Sequence, residues 1–413
     1  MIKMASGSAI AGKIKTNPED FVVEEIAKNG TVIKLNQKMA AESLGLQPSP
    51  TGKFTVFVMQ KRDWNTIQAL KMLAKKAGRG IRSTAFAGTK DRASISTQLC
   101  SIFGASAERV SSLHVKDISI NGAWQSDTGV EMGGLLGNRF TIMVRETNAT
   151  IEEINKIAAE LDGICPNYFG EQRFGFRSNN VSVGLSIIKG DFEQAAMDFL
   201  TNTSNERNLD SIEARERLGR ERDFKAALEY FPRHLKYEMM AIEYLSRYPT
   251  DYANAIRRLP RQLTLMFVHS VESQIFNKEV ELRVSGARNE LQAGDLFCEA
   301  DKFGFPDIKA VRSADAGAAK LEGRCFAIGN IIGYESGQPN ENEKSIMEDM
   351  GITQEMFKIQ SMPELGCKGN YRALFAPFVD FSCETGESKA KLSFSLPAGA
   401  YATVLMDEFI QNQ

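Results

Sequence analysis

The sequence predicts an α+β protein in which one domain, formed by both ends of the chain, is interrupted by a second. Three observations lead there. At 413 residues the chain exceeds the size at which a single core keeps growing, so two domains are the default. Its first third alternates strand-like and helix-like runs, and the closing KLSFSLPAGAYATVLMDEFI returns to that style. Between them, residues from about Asp191 to Val284 are rich in helix formers with mixed charge.

Phe21 to Ile26 (FVVEEI) and Thr51 to Met59 (TGKFTVFVM) read as strands. Asp63 is expected to cap a helix through about Ala77, with Trp64, Ile67 and Leu70 inward, Lys71 and Lys75 outward, and Gly78 closing it. Ala85 to Ala87 reads as a strand end, after which Gly88 lets the backbone turn. In GNRFTIMVRE, Phe140, Ile142 and Val144 alternate with Thr141, Met143 and Arg145, the period of a half-buried strand. Thr150 and Glu153 form a capping box for a helix ended by Gly163. Phe231-Pro232 interrupts the helical middle, and short apolar runs separated by glycines return from Leu296 to Tyr334. The tail pairs an alternating strand with a Pro-Ala-Gly turn and a short apolar helix.

A composition of 43% hydrophobic and 25% charged residues excludes disordered and fibrous classes. No apolar run approaches the ~18 residues of a membrane span, and MIKMASGSAIAGK lacks a signal-peptide core, so a cytoplasmic protein is expected. The six cysteines form no CxxC pair and the three histidines fall at no zinc-ligand spacing, so neither a metal nor a disulfide framework is expected. Chemistry should rest on carboxylates, lysines and aromatics. From Lys61 to Arg92, nine Lys or Arg face two acids, a local charge of +7. Such a field suits a phosphate-bearing partner; the alternative is a solvated helix face.

That stretch leads into FAGTKDRASISTQ, where Asp91 stands between Lys90 and Arg92. Adjacent positive charge favours the ionised carboxylate, which makes Asp91 a nucleophile or electrostatic stabiliser rather than a proton donor. A surface loop with a mixed charge triplet is the competing reading.

Taken together, KTNPEDFVVEEI (Lys15 to Ile26), FAGTKDRASISTQ, GNRF (Gly137 to Phe140), PNYFGEQRFG (Pro166 to Gly175) and LPAGAYAT (Leu396 to Thr403) resemble the TruD family of tRNA pseudouridine synthases. Five strings in the family's order span nearly the whole chain. The resemblance implies a pseudouridine synthase core with a mixed, largely antiparallel sheet over residues 1–166 and 372–413, and a family-specific α/β insertion over 167–371. It implies isomerisation of a uridine in tRNA, typically at position 13, by a monomer without cofactor or metal. Carried over, Asp91 is the nucleophile and Lys15 its partner cation, with Asn138 and Phe140 beside the target base. Tyr401 stands where relatives carry an aromatic. Lys90, Arg92 and Arg173 are candidate substrate contacts, and Lys71, Lys75 and Lys76 a candidate RNA grip.

The chemistry asks for the same groups. Breaking the N-glycosidic bond develops positive character at the sugar, which an ionised carboxylate can attack or stabilise. A lysine would keep that carboxylate charged and aimed. An aromatic can retain the freed uracil by stacking while leaving it able to rotate. Asn138 could bond a uracil edge or orient Asp91. Each residue also has a plainer use: Lys15 as a surface lysine, Phe140 as core, Asn138 as a turn residue, Arg173 as a brace for the insertion. Two other functional classes are open to the same residues: a catalytically inactive tRNA-binding protein or RNA chaperone, and a glycosidase or nucleosidase with two carboxylates. Neither GxGxxG after a strand nor GxxxxGK[ST] is present, which disfavours a methyltransferase or an NTPase.

Overall fold

Period-two alternation builds an eight-stranded sheet in the computed structural model, which describes residues 1–5, 9–286, 289–314 and 324–411. Six strands come from the first third: Phe21–Ala27 (β1), Phe54–Arg62 (β2), Thr84–Phe86 (β3), Ile95–Phe103 (β4), Ile118–Ser126 (β5) and Leu135–Arg145 (β6). The last two, Val379–Gly386 and Lys389–Pro397, form a hairpin near the C-terminus. The inner hairpin strand pairs with β6 from Lys389↔Arg145 to Pro397↔Gly137, and β1, β4, β2 and β5 follow in that order, with β3 beside β4. The β1–β4 pair is parallel and the other pairs of this sheet are antiparallel, so the fold is α+β with a mixed, largely antiparallel sheet. Gly137 is required by this closure, because a Cβ there would meet the Leu396 carbonyl oxygen at 2.2 Å.

By compactness the chain divides into two units. One comprises Lys3–Pro166, Ala300–Pro306 and Ala376–Gln413; the other Met1–Ile2, Asn167–Glu299 and Asp307–Phe375. The second is built on helices that include Asn180–Lys189, Phe192–Thr201 and the 25-residue Arg261–Ser285, around a core containing Val183, Ile187, Leu200, Val268 and Val271. Its four-stranded sheet, ordered Asn370–Ala373, Cys325–Ile331, Leu296–Glu299, Arg312–Ser313, is antiparallel throughout.

In the first unit, the helix Thr66–Lys76 (α1) buries Ala69, Leu70 and Leu73 against Phe57, Met59, Cys100 and Ile102. The expected cap is corrected: Asn65 accepts from the Ile67 amide at 2.9 Å, while Asp63 takes a left-handed backbone two residues earlier. Trp64 therefore precedes the helix, while its side chain, inward as expected, packs partly buried against the same core as Ala69, Leu70 and Leu73. Ile67, expected inward, is exposed, because the buried face is the Ala69-Leu70-Leu73-Ala74 stripe. The capping box of Thr150 and Glu153 forms as expected, at 3.2 and 2.8 Å.

Candidate active site

Sheet register sets the floor of the site. Phe21, Val23 and Glu25 share one face of β1, and pairing places Phe140 opposite Val23 and Asn138 opposite Glu25. Ser96 lies beside Val23, and Lys61 and Met59 of β2 stand opposite Ser96 and Gln98 of β4. One lysine, Lys61, and one glutamate, Glu25, thus enter the face that α1 covers.

The segment 88–94 is fastened to this floor by its backbone. Gln98 Nε2 donates to the Gly88 carbonyl at 3.0 Å, and the Lys90 amide donates to Thr66 Oγ1 at 3.0 Å. Two donors hold the Asp91 carbonyl: Lys61 Nζ at 2.8 Å and Ser94 Oγ at 2.7 Å. With its backbone fixed from below, the Asp91 side chain is 47% exposed, and Lys15 Nζ reaches its Oδ2 at 2.7 Å.

Lys15 is itself held in place. Residues Lys13 and Arg145 exchange backbone hydrogen bonds at 2.9 and 2.8 Å, and two residues further Lys15 takes φ +58°, a left-handed backbone that costs about 1–2 kcal/mol for a side chain of this kind. On its other side, the Pro18–Asp20 turn is closed by Asp20 Oδ2 accepting from the Asn17 amide at 2.9 Å. Arg145 grips the buried Asp20 carboxylate with two bonds of 2.8 and 2.7 Å, and this guanidinium draws the Asp20 pKa below its usual value against the opposing effect of burial. Lys15 Nζ also lies 4.3 Å from the centroid of the Phe21 ring, which meets Phe140 edge-on at 6.1 Å.

Several expected site residues sit otherwise than the sequence suggested. Lys90 is corrected from a substrate contact to a buried cation: its ammonium turns inward to Glu25 Oε2 at 2.8 Å, and Glu25 also accepts from the Leu99 amide at 2.9 Å. Phe140 is 6% exposed and packed between Phe21 and Phe394, so it is corrected from an open stacking platform to part of an aromatic core. Lys61, counted in the basic stretch, is fully buried; burial first and the nearby Lys90 ammonium second push it down to about 8. Arg92 remains exposed and pairs with Asp63 at 3.2 Å. Lys71, Lys75 and Lys76 are exposed on α1. Tyr401, 38% exposed, stands at the start of the helix Ala402–Phe409. Arg173 belongs to the second unit, its guanidinium 5.2 Å from the Phe169 ring centroid. Asn138 carries a distinctive feature: its Oδ1 is buried without a hydrogen-bond partner among the described residues.

In the second unit, His269, Glu272 and Cys367 offer three ligand atoms close together, with His269 Nδ1 2.6 Å from Glu272 Oε2 and 3.8 Å from Cys367 Sγ. Burial and the facing Glu272 push the Cys367 thiol far up, so it holds its proton. Sequence spacing missed the trio because Cys367 lies 98 residues beyond His269.

A carboxylate presented by a backbone-clamped loop, a partner ammonium and, among the described residues, an acceptor without a hydrogen-bond partner form a candidate enzyme site. The family model described as tRNA pseudouridine synthase D (TruD) matches residues 2–409. Relatives bearing that name include one from Methanosarcina acetivorans, 31% identical with 97% of this chain and 93% of the relative covered. Another, from Methanococcus maripaludis, is 33% identical with 97% and 95% covered. A solved structure of a Methanosarcina mazei protein of that name superposes with a TM-score of 0.77 at 30% identity, covering 99% of this chain and 95% of that one. The chain belongs to the TruD family of tRNA pseudouridine synthases, and is therefore an isomerase acting on tRNA.

Proposed function

We propose that this enzyme isomerises uridine 13 of tRNA with Asp91 as nucleophile and Lys15 as the cation that keeps it aimed. The observation that carries the reading is the 2.7 Å Lys15–Asp91 contact, made by the two residues that match the family's motif positions. In the reaction the N1–C1′ bond of the uridine breaks, the uracil turns, its C5 joins C1′, and the C5 proton leaves while N1 gains one. An exposed carboxylate can serve this chemistry by attack on the sugar or on the ring.

Asn138 Oδ1 is an acceptor short of a donor, and a uracil N–H would satisfy it; its removal from water is then compensated in the complex alone. With Phe140 packed into the core, Tyr401 is the better placed aromatic to stack on the extruded base, and Arg92 the better placed cation for a neighbouring phosphate. We read the unit containing Lys3–Pro166 and Ala376–Gln413 as catalytic and the one containing Asn167–Glu299 and Asp307–Phe375 as the family insertion. The reading includes a cytoplasmic monomer that needs no metal for this step.

The test is Asp91→Asn, assayed for pseudouridine at position 13 of a tRNA transcript and for tRNA binding. Loss of product with binding retained is expected. Product formation by this variant would refute the role of Asp91, and product at another nucleotide in the native enzyme would refute the position.

A further inference from the structure

We propose that Lys61 is a positioning residue for the isomerisation, its buried ammonium fixing the loop that presents Asp91. This rests on the reading of Asp91 as nucleophile. Lys61 occupies the inward phase of β2 with Phe57 and Met59, where an apolar side chain would pack without penalty. The side chain is fully buried, yet among the described residues no carboxylate lies within ion-pair distance of its ammonium. Its acceptor is the main-chain carbonyl of Asp91 itself, at 2.8 Å. Lys90, the buried lysine of the loop, has Glu25 as counterion. A charge buried against one backbone oxygen is a poor stabiliser of the fold and a good locator of that oxygen.

The groups around it act in known directions. Lys90 of the loop repels the ammonium and Asp91 and Asp63 after β2 favour it, while the buried Cys100 thiol of β4, pushed well up, is neutral beside it. Glu25 of β1 is engaged by Lys90 and the Leu99 amide. Losing the Lys61 proton turns a charge-assisted bond into a neutral one of roughly half the strength, and removes a positive charge from behind Asp91. Ser94 Oγ is then the stronger of the two donors left at that carbonyl. Burial brings this proton loss to about pH 8, so turnover should fall on the alkaline side there.

The experiment compares native enzyme, Lys61→Met and Lys61→Arg in single-turnover pseudouridine formation from pH 6 to pH 10, with tRNA affinity measured at each pH. For Lys61→Met the expected result is a fall in rate of about 10- to 100-fold at pH 7, the worth of one charged hydrogen bond, with tRNA affinity unchanged and no alkaline limb near pH 8. Lys61→Arg, which keeps its charge at every pH tested, should recover part of the rate and also lack that limb. A Lys61→Met enzyme with the native rate and native pH profile would overturn the proposal. A matching loss of tRNA affinity would overturn it too, assigning Lys61 to RNA contact. The Asp91→Asn result separates the two failures: an active Asp91→Asn sinks the nucleophile, whereas an inactive one beside a native-like Lys61→Met sinks Lys61 alone.

Discussion

A buried lysine kept for its position should cost the fold something, and Lys61→Met exposes that cost. The ammonium is driven from its ordinary 10.5 to about 8, a depression of about 2.5 units. At 1.36 kcal/mol per unit this corresponds to about 3 kcal/mol of destabilisation by the charged form. Below pH 8 Lys61 is protonated in both folded and unfolded chains, so the fold bears the full cost. Between about 8 and 10.5 the unfolded chain binds a proton that the folded chain does not, and native stability gains with pH. Methionine removes the charge and fills similar space, but forfeits a hydrogen bond worth about 1 kcal/mol; the Asp91 carbonyl keeps its Ser94 donor. Lys61→Met should therefore be about 2 kcal/mol more stable than the native chain at pH 7. That advantage should shrink by about 2 kcal/mol by pH 9.5. Urea unfolding of both proteins at the two pH values, taken as a difference so that shared titrations cancel, measures it. A stability difference independent of pH, or a variant clearly less stable at pH 7, would refute a charged Lys61 held at a cost.

Two further outcomes follow from other parts of the site. Arg145→Ala leaves the buried Asp20 carboxylate short of two donors, and should cost about 1–3 kcal/mol at pH 7 while slowing turnover through the loosened Lys15 segment. Because Asp20 is held below its usual pKa in the fold, its contribution is present above about pH 4 and lost as pH falls through the depressed value; the stability difference between native and variant should be full at pH 7 and narrow at about pH 2.5. Reversing the exposed Lys71, Lys75 and Lys76 to Glu should weaken tRNA and unrelated RNAs alike and lower the salt slope of binding by about 1–3, with folding stability unchanged; an unaltered slope returns that face to solvent.

The motif strings marked Lys15, Asp91 and Asn138 as candidates, and the fold brings the first two, 76 residues apart in sequence, to 2.7 Å. Lys61 and Lys90 were misjudged for a physical reason: a charge count over Lys61 to Arg92 ignores side-chain phase. The phase was present in FVMQKRD, where Lys61 follows Phe57 and Met59 at period two, and in FVVEE, where Glu25 follows Phe21 and Val23. Inward-phase charges of opposite sign on two strands would have suggested a buried pair, though which lysine takes the glutamate depends on the Thr66 and Gln98 bonds that fold the loop back. The pairing of Lys389–Pro397 with β6 joins segments some 250 residues apart, and no local pattern encodes it. The shift of the helix cap from Asp63 to Asn65 has the same origin, since Asp63 is drawn into the turn where its amide meets the Ser94 carbonyl at 3.1 Å.

How the loop is held bears on what its carboxylate is free to do. A nucleophile must be fixed in space, yet every hydrogen bond accepted by its oxygens lowers their reactivity. In the nucleophile role proposed for Asp91 the two demands fall on different atoms: the backbone carbonyl takes the bonds from Lys61 and Ser94, and among the described residues Lys15 is the one donor to the carboxylate. A scaffold that anchored the side chain instead would order the loop equally well and deliver a less reactive carboxylate. The cost of the chosen arrangement is an uncompensated ammonium under the loop, and it is repaid in complex with substrate only if Asp91 does the chemistry. Stability gained and turnover lost in the same Lys61→Met protein is therefore the joint signature that a purely structural lysine could not give.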